Sequence, residues 1–308
     1  MQKARAFVLL ATVSCLAFAT VAFADGGTTW LPAPGTGSVT VSYVSQSADN
    51  MWVGENGPNP IPFQGLEQST FLVNGTYGLT DAVALDVSVG RSEVSPTHGR
   101  PIPLSTDGIT DTEAGVTWRF SDEVVTGNPS MAVRMGVILA GNYDTGGFGP
   151  AESGIMGDAS RVGAGPTAIG DGANGFELSG IIGKVFNGQF ALAAEAGVRT
   201  RAGEVPTETF INLDAHVFVR DNIVLSGQYH IQSSSGDLDI GPPPSPGKHG
   251  TNWQKFPFVA EDVNRLSIGG TLLLDQVNIG LHWFNVLDGR NTAEFKALGG
   301  TLTYNFGQ

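Results

Sequence analysis

Leu192-Ala193-Ala194-Glu195-Ala196-Gly197-Val198-Arg199, followed closely by Ile211-Asn212-Leu213-Asp214-Ala215-His216-Val217, decides how the rest of the chain is read. In both stretches the apolar residues fall at every second position: Leu192, Ala194, Ala196 and Val198, then Ile211, Leu213, Ala215 and Val217. A helix would bring apolar residues back at three and four positions, whereas a strand puts alternate side chains on opposite faces. The pattern therefore describes ribbons that are greasy on one face and polar on the other.

The same alternation recurs along the chain. Val83, Leu85, Val87 and Val89 stand against Asp86, Ser88 and Gly90, and Ala114, Val116, Trp118 and Phe120 against Glu113, Thr117 and Arg119. Val277, Ile279, Leu281 and Trp283 stand against Asn278, Gly280 and His282. Twelve strands are expected, near 37–47, 67–78, 82–93, 111–121, 130–143, 174–186, 189–202, 207–219, 222–234, 263–273, 276–287 and 294–306. Each is about ten residues long, which is what a tilted strand needs to cross a bilayer.

The connections fall into two series. Thr80-Asp81, Asn187-Gly188, Arg220-Asp221 and Leu274-Asp275 mark tight turns, with Asp122 to Pro129 a longer member of that series. Long segments at 48–66, 94–110, 144–173 and 235–262, with shorter ones near 203–206 and 288–293, alternate with them. Short turns at one end and long loops at the other make the pattern of a bacterial outer-membrane barrel, with the short side periplasmic. An even strand count places both chain ends there. The fold expected is thus all-β: a single antiparallel transmembrane barrel over residues 25–308, without helices.

Residues 1–24 read as a cleaved signal peptide. Lys3 and Arg5 precede an apolar run from Ala6 to Phe23, and Ala22-Phe23-Ala24 offers a small-x-small cleavage site before the polar Asp25-Gly26-Gly27. A membrane-anchor helix is the competing reading, and the cleavage site weighs against it. Cys15 is the only cysteine, so a mature chain of about 284 residues would lack disulfides and thiolate metal sites. It would carry 14 Lys+Arg against 29 Asp+Glu, a formal charge of −15, which argues against nucleic acid as a partner. The partners implied are outer-membrane lipid, the assembly machinery of that membrane and a small solute.

Aromatic residues are placed as girdles would be. Tyr77, Trp118, Phe120, Phe186, Phe190, Tyr304 and Phe306 fall at periplasmic strand ends, and Tyr43, Tyr143 and Trp283 near the outer ends. The last strand, Leu298-Gly300-Leu302-Tyr304-Phe306, resembles the terminal signature recognised during barrel assembly, with Gly307 and Gln308 as an unusual addition.

The polar faces would look into the lumen. They carry Asp86, Glu113, Arg119, Arg134, Glu177, Glu195, Arg199, Arg201, Glu208, Asp214, His216, His230, Arg265 and His282. Turn arithmetic sets Arg199 opposite residues 209 and 176, within reach of Glu177 and Glu208, and makes Glu195 and Asp214 near neighbours. Such charges either satisfy one another or form a constriction that selects solutes. Gly90, Gly115, Gly136, Gly183, Gly197, Gly269, Gly280 and Gly299 share the inward face; they either leave room for a narrow channel or let the strands bend. Trp253, Phe256 and Phe258, after Pro242-Pro243-Pro244, either belong to a plain surface loop or line the entrance for an apolar solute.

Catalytic patterns are weak. His230, Gln232 and Ser234 share one face, and a lipase-like centre would need a serine–histidine pair with an orienting group. The five histidines, His98 and His249 among them, lack metal-ligand spacing, and Asp144, Asp158 and Asp171 are too far apart for a calcium loop. Neither catalysis, a metal nor a cofactor is expected.

Tyr77-Gly78-Leu79-Thr80-Asp81, between Phe71-Leu72-Val73-Asn74 and Leu85-Asp86-Val87-Ser88-Val89, resembles the turn of the outer-membrane proteins named for the meta-pathway of phenol degradation. That resemblance implies a channel for aromatic or other apolar compounds. It supplies no binding residue and no particular solute. The competing classes are a structural or adhesive barrel that displays its loops, an outer-membrane hydrolase, and a secreted soluble β-sandwich.

Overall fold

The structure, a computed structural model, describes residues 27–61, 65–96, 106–143, 169–239 and 258–307. The signal region, His98, Asp144, Asp158, the Pro242-Pro243-Pro244 run, His249, Trp253 and Phe256 lie outside them. Its strands are β1 (Gly37–Ala48), β2 (Asn50–Val53), β3 (Asn56–Pro60), β4 (Leu66–Thr80), β5 (Val83–Pro96), β6 (Thr106–Ile109), β7 (Thr112–Ser121), β8 (Ser130–Leu139), β9 (Gly175–Phe186), β10 (Phe190–Arg201), β11 (Glu208–Arg220), β12 (Ile223–Ser234), β13 (Asp262–Leu274), β14 (Val277–Arg290) and β15 (Lys296–Phe306). Each wall strand pairs antiparallel with its sequence neighbours, and β1 pairs with both β4 and β15, which closes the ring. With β6 and β7 forming one interrupted wall strand against β5, the barrel has twelve strands.

Closure removes the sheet edges, so every wall strand has its backbone partners on both sides, as lipid demands. The outward set is large, apolar and solvent-accessible. Val39, Val41, Leu85, Val87, Val89, Val116, Leu213, Val217, Ile279, Leu281, Leu298 and Leu302 all belong to it. Exposure of this kind, continuous round the wall, suits a molecule whose surroundings are acyl chains. The fold is that of an outer-membrane barrel.

Outward aromatics gather toward the strand ends. Trp118 and Phe120 sit 5.8 Å apart, Phe186 and Phe190 5.9 Å apart, and Tyr77 stacks on Phe306 at 6.4 Å, all toward the short-turn end. Tyr43 and Trp283 face outward nearer the long-loop end. Tyr143 does not join them. Its side chain is buried and its hydroxyl donates to Asp111 Oδ1 at 2.6 Å, so it ties down a loop.

Three elements depart from the expectation. Within the Asp122 to Pro129 connection lies a one-turn helix, α1 (Glu123–Thr126), capped by the Asp122 carboxylate accepting from Val124 N and ended by Gly127 at φ 72°. The 48–66 segment folds into the β2–β3 hairpin. The 94–110 segment contributes β6, so its chain rejoins the wall earlier than alternation implies, and β8 stops at Leu139.

Candidate functional site

The inward face is divided. On β5 to β11 it carries charge, and on β15, β1 and β4 it carries only neutral side chains. Cross-strand partners Asp86, Gly115, Gly136, Glu177, Arg199 and Glu208 lie in one row across β5, β7, β8, β9, β10 and β11. Arg134 leans along this row. It donates to Asp86 through Nε at 3.2 Å and Nη2 at 2.7 Å, and to Glu177 through Nη1. Arg199 donates to the other Glu177 oxygen at 2.9 and 3.1 Å and to Glu208 at 3.3 Å, and Gln232 ends the chain on Glu208 at 3.1 Å. The result is an alternating ladder of carboxylates and guanidiniums, each buried charge held by its opposite.

Arg199 therefore stands between Glu177 and Glu208, as the turn arithmetic expects, but its partners in register are Glu177 and Glu208 themselves, where residues 176 and 209 were expected. The Asn187-Gly188 connection is the cause on one side. It is a three-residue loop closing with Gln189 N on Phe186 O at 3.1 Å, one residue longer than the tightest turn.

A second network surrounds Glu195. The carboxylate accepts from Ser179 Oγ at 2.6 Å, from Asn212 Nδ2 at 3.0 Å and from Gly27 N at 3.1 Å. Asn212 Oδ1 meets His230 Nδ1 at 2.7 Å. Asp214 is only diagonal to Glu195, whose register partner is Asn212; Asp214 accepts from Gln228 at 2.9 Å. His216 Nδ1 lies 2.9 Å from Ser226 Oγ.

The other expected residues take separate places. Arg119 donates to Asp81 O at 2.6 Å and to Thr29 O at 3.4 Å, and pairs with Asp122 at 2.6 Å, near the short turns. Glu113 lies on the same face near the Arg134 charge. The Arg265 guanidinium sits over the Phe284 ring at 5.3 Å, and His282 fills the space above Gly299, where an added Cβ would lie 2.1 Å from Nε2. Arg201 pairs with Asp111 at 2.6 Å and Asp171 at 3.0 Å at the long-loop end. His230 and Ser234 are held apart. The Ser234 hydroxyl donates to Glu261 O at 2.6 Å while His230 engages Asn212.

The inward glycines make room for side chains. A Cβ on Gly115 would meet Arg134 Nη2 and the Asp86 carboxylate at 2.7 Å, and one on Gly136 would meet Arg134 Nη1 at 3.1 Å. Gly197 gives its space to the Phe210 ring at 2.5 Å, and Gly183 to Thr29 and Trp30. Here glycine admits the ladder and its neighbours.

The neutral wall is stitched by hydroxyls and amides. Thr40 Oγ1 and Thr303 Oγ1 lie 2.8 Å apart, Ser38 and Thr76 2.9 Å, and Gln46 donates to Gln68 at 2.7 Å. Among the described residues, buried atoms without a protein partner are spread round the interior, among them Ser42 Oγ, Asn74 Nδ2, His216 Nε2, Gln228 Oε1, Ser267 Oγ, Asn278 Nδ2 and Asn305 Oδ1.

The sequence matches no known family profile and no curated protein. Among solved structures, an outer membrane channel from Pseudomonas putida F1 superposes with a TM-score of 0.65, at 12% identity, over 92% of this chain and 99% of that one. The two share a fold. The translocator domain of the autotransporter NalP from Neisseria meningitidis aligns at a TM-score of 0.49 and 11% identity, over 99% and 97% of the two chains. A mutant of the TodX monoaromatic hydrocarbon channel aligns at 0.44 and 10%, over 90% and 91%. These two are more distant likenesses.

A lid covers part of the long-loop mouth. Ala48, Met51, Ile61, Leu66, Val259 and Ala293 form an apolar cluster joined by Val53 and Phe295. Trp52 N donates to Thr292 O at 2.8 Å, Asn291 Nδ2 to Ala260 O at 2.7 Å, and Arg290 to Asp239 at 2.7 Å. Burial would raise the Asp239 carboxyl, but hydrogen bonds from Arg290 and Asn291 and the Arg290 charge hold it below its ordinary value. Burial, with Asp171, Glu208 and Asp262 nearby, pushes Glu261 up to about 8 despite a hydrogen bond from Thr292. Phe258 begins the described segment that leads into β13 and is half-buried, so of the three expected entrance aromatics it alone can be placed.

Sequence reasoning did not foresee the roles of Ser179, Asn212, Gln228 and Gln232, the neutral groups that link the charges. Their inward parity was readable, but nothing in their spacing marks them out. It also passed over Thr28 to Trp30, although a tryptophan just ahead of the first strand was the available signal.

Proposed function

We propose that the protein is a passive outer-membrane channel for small solutes, aromatic or other apolar compounds among them, in line with the resemblance of its Tyr77 to Asp81 turn. The observation that carries this reading is a closed twelve-stranded wall, apolar outside and polar inside, that superposes over almost its whole length on an outer membrane channel. The ladder on the inner face fixes charge of both signs at known places, the arrangement by which pores select. Flux would be downhill, and the short-turn end is assigned to the periplasm.

Reconstitution in planar bilayers should give discrete conductance steps, and a strain lacking the protein should take up small aromatic solutes more slowly. A folded barrel showing neither effect refutes the channel. The competing structural barrel is favoured by the lid and the ladder, which narrow the interior. Protein with its long loops shortened separates the two readings, because a channel keeps conducting.

A further inference from the structure

The segment ahead of the first strand lies inside the barrel. Trp30 is 1% exposed, packed on Ala191 with Val185, Ala193 and Phe218 around it, and meets the His216 ring edge-on at 6.2 Å. Thr29 is fully buried. Gly27 reaches deeper still. Its N–H is shared between both oxygens of Glu195 at 3.1 Å, and a Cβ added there would touch Ile181 and Arg134.

The other end of the segment is fixed elsewhere on the ring. Gly35 N donates to Gly78 O and Gly78 N to Thr36 O, each at 2.9 Å, where β4 meets its short turn. Counting round the wall from β1, β4 is second and β10, which carries Glu195 and Ala191, is seventh. Five steps round the twelve-strand ring, past β5, β7, β8 and β9, separate them, close to a diameter. The chain thus crosses the short-turn mouth from one wall to the other, a span that nine extended residues (about 30 Å at most) can cover.

The wall is shaped for this occupant. At Gly183 a Cβ would lie 2.6 Å from Thr29 Oγ1 and 2.9 Å from the Trp30 ring, so only glycine leaves the slot open. Arg119 reaches in to the Thr29 carbonyl at 3.4 Å. Glu195 has two side-chain donors, Ser179 and Asn212, and takes a backbone N–H from the segment as a further one.

We propose that β9, β10 and β11 form a binding site whose ligand is the chain's own segment Gly27–Trp30, seated as a plug that closes the short-turn mouth, with Glu195 as its latch. Solute passes when the segment leaves the site. This rests on the channel reading, and the test keeps the two apart.

Two variants are compared with the full-length protein in planar bilayers. In the first, residues 27–31 are deleted, with folding checked by the mobility of the unheated barrel on gels. Open-state occupancy should rise several-fold. In the second, Thr29→Cys is combined with Gly183→Cys, a pair in disulfide range once the leader bearing Cys15 is gone. With dissolved oxygen and a copper catalyst taking the two electrons and two protons of the thiol pair, the disulfide should form in the folded barrel and hold the pore shut, and reductant should restore wild-type openings.

Failure of the disulfide to form with openings like wild type shows that the segment does not sit in this site, whereas failure with openings raised as in the deletion shows it pushed out by the side chain added at 183. Deleted and cross-linked proteins that conduct like wild type overturn the plug while leaving the channel standing. Silence from every variant, the deletion included, overturns both.

Discussion

At the scale of single residues, the interior is governed by charge compensation. Arg134 is 5% exposed and serves Asp86 and Glu177 together, while Arg199 shares Glu177 with Glu208. Removing one member of a buried network leaves its partners with uncompensated charge, which costs more than the pair contributes net. Arg134→Met should therefore destabilise the barrel by about 3–5 kcal/mol, toward the lower end because Arg199 still holds Glu177. The double change Asp86→Asn with Glu177→Gln, in the Arg134→Met background, should recover much of the loss. Urea unfolding of reconstituted protein, followed by tryptophan fluorescence, measures both; an unaltered midpoint in Arg134→Met would contradict the ladder's structural role. The sequence showed Arg199 between two glutamates because alternation fixes which face a side chain takes. It did not show Arg134 spanning to Asp86, because that contact depends on the side-chain space left by Gly115 and Gly136, and a glycine in a strand has several meanings.

At the scale of elements, wall and lid follow different rules. The twelve wall strands were readable from period two, and their ends fall within a few residues of expectation because lipid on one face and polar groups on the other penalise any slip by one residue. The β2–β3 hairpin was not readable. Asn56-Gly57-Pro58-Asn59-Pro60 has no alternation, and the hairpin is held by tertiary contacts such as Trp52 N on Thr292 O and Gly54 N on Asn291 Oδ1. The lid should respond to pH through Glu261. A carboxyl raised from 4.5 to about 8 favours the closed lid in its neutral form. Its contribution is fully present below the ordinary carboxylate range and is lost as pH rises through about 8. Hydrogen exchange in residues 49–61, corrected for intrinsic rates, should accelerate as pH rises from about 5 to about 9. Glu261→Gln should flatten that response; a wild-type lid indifferent to pH would speak against Glu261 as its titrating group.

At the scale of the whole molecule, everything depends on which side of the wall meets lipid. The outward stripe was legible from the first alternating strands, whereas the passage of residues 27–36 across the mouth was not, since a short segment with two prolines carries no periodicity and its seat is assembled from three distant strands. Tryptophans report on both sides at once. Trp118 and Trp283 are 55% and 37% exposed on the outer wall toward opposite ends, while Trp30 and Trp52 are 1% and 4% exposed within. Variants retaining one of the four, reconstituted into vesicles of brominated lipid, allow each to be tested by fluorescence quenching. Trp118 and Trp283 should be strongly quenched, and Trp30 and Trp52 nearly untouched. Equal quenching of all four, or protection of Trp118 and Trp283, would contradict a barrel whose apolar face is turned to the membrane.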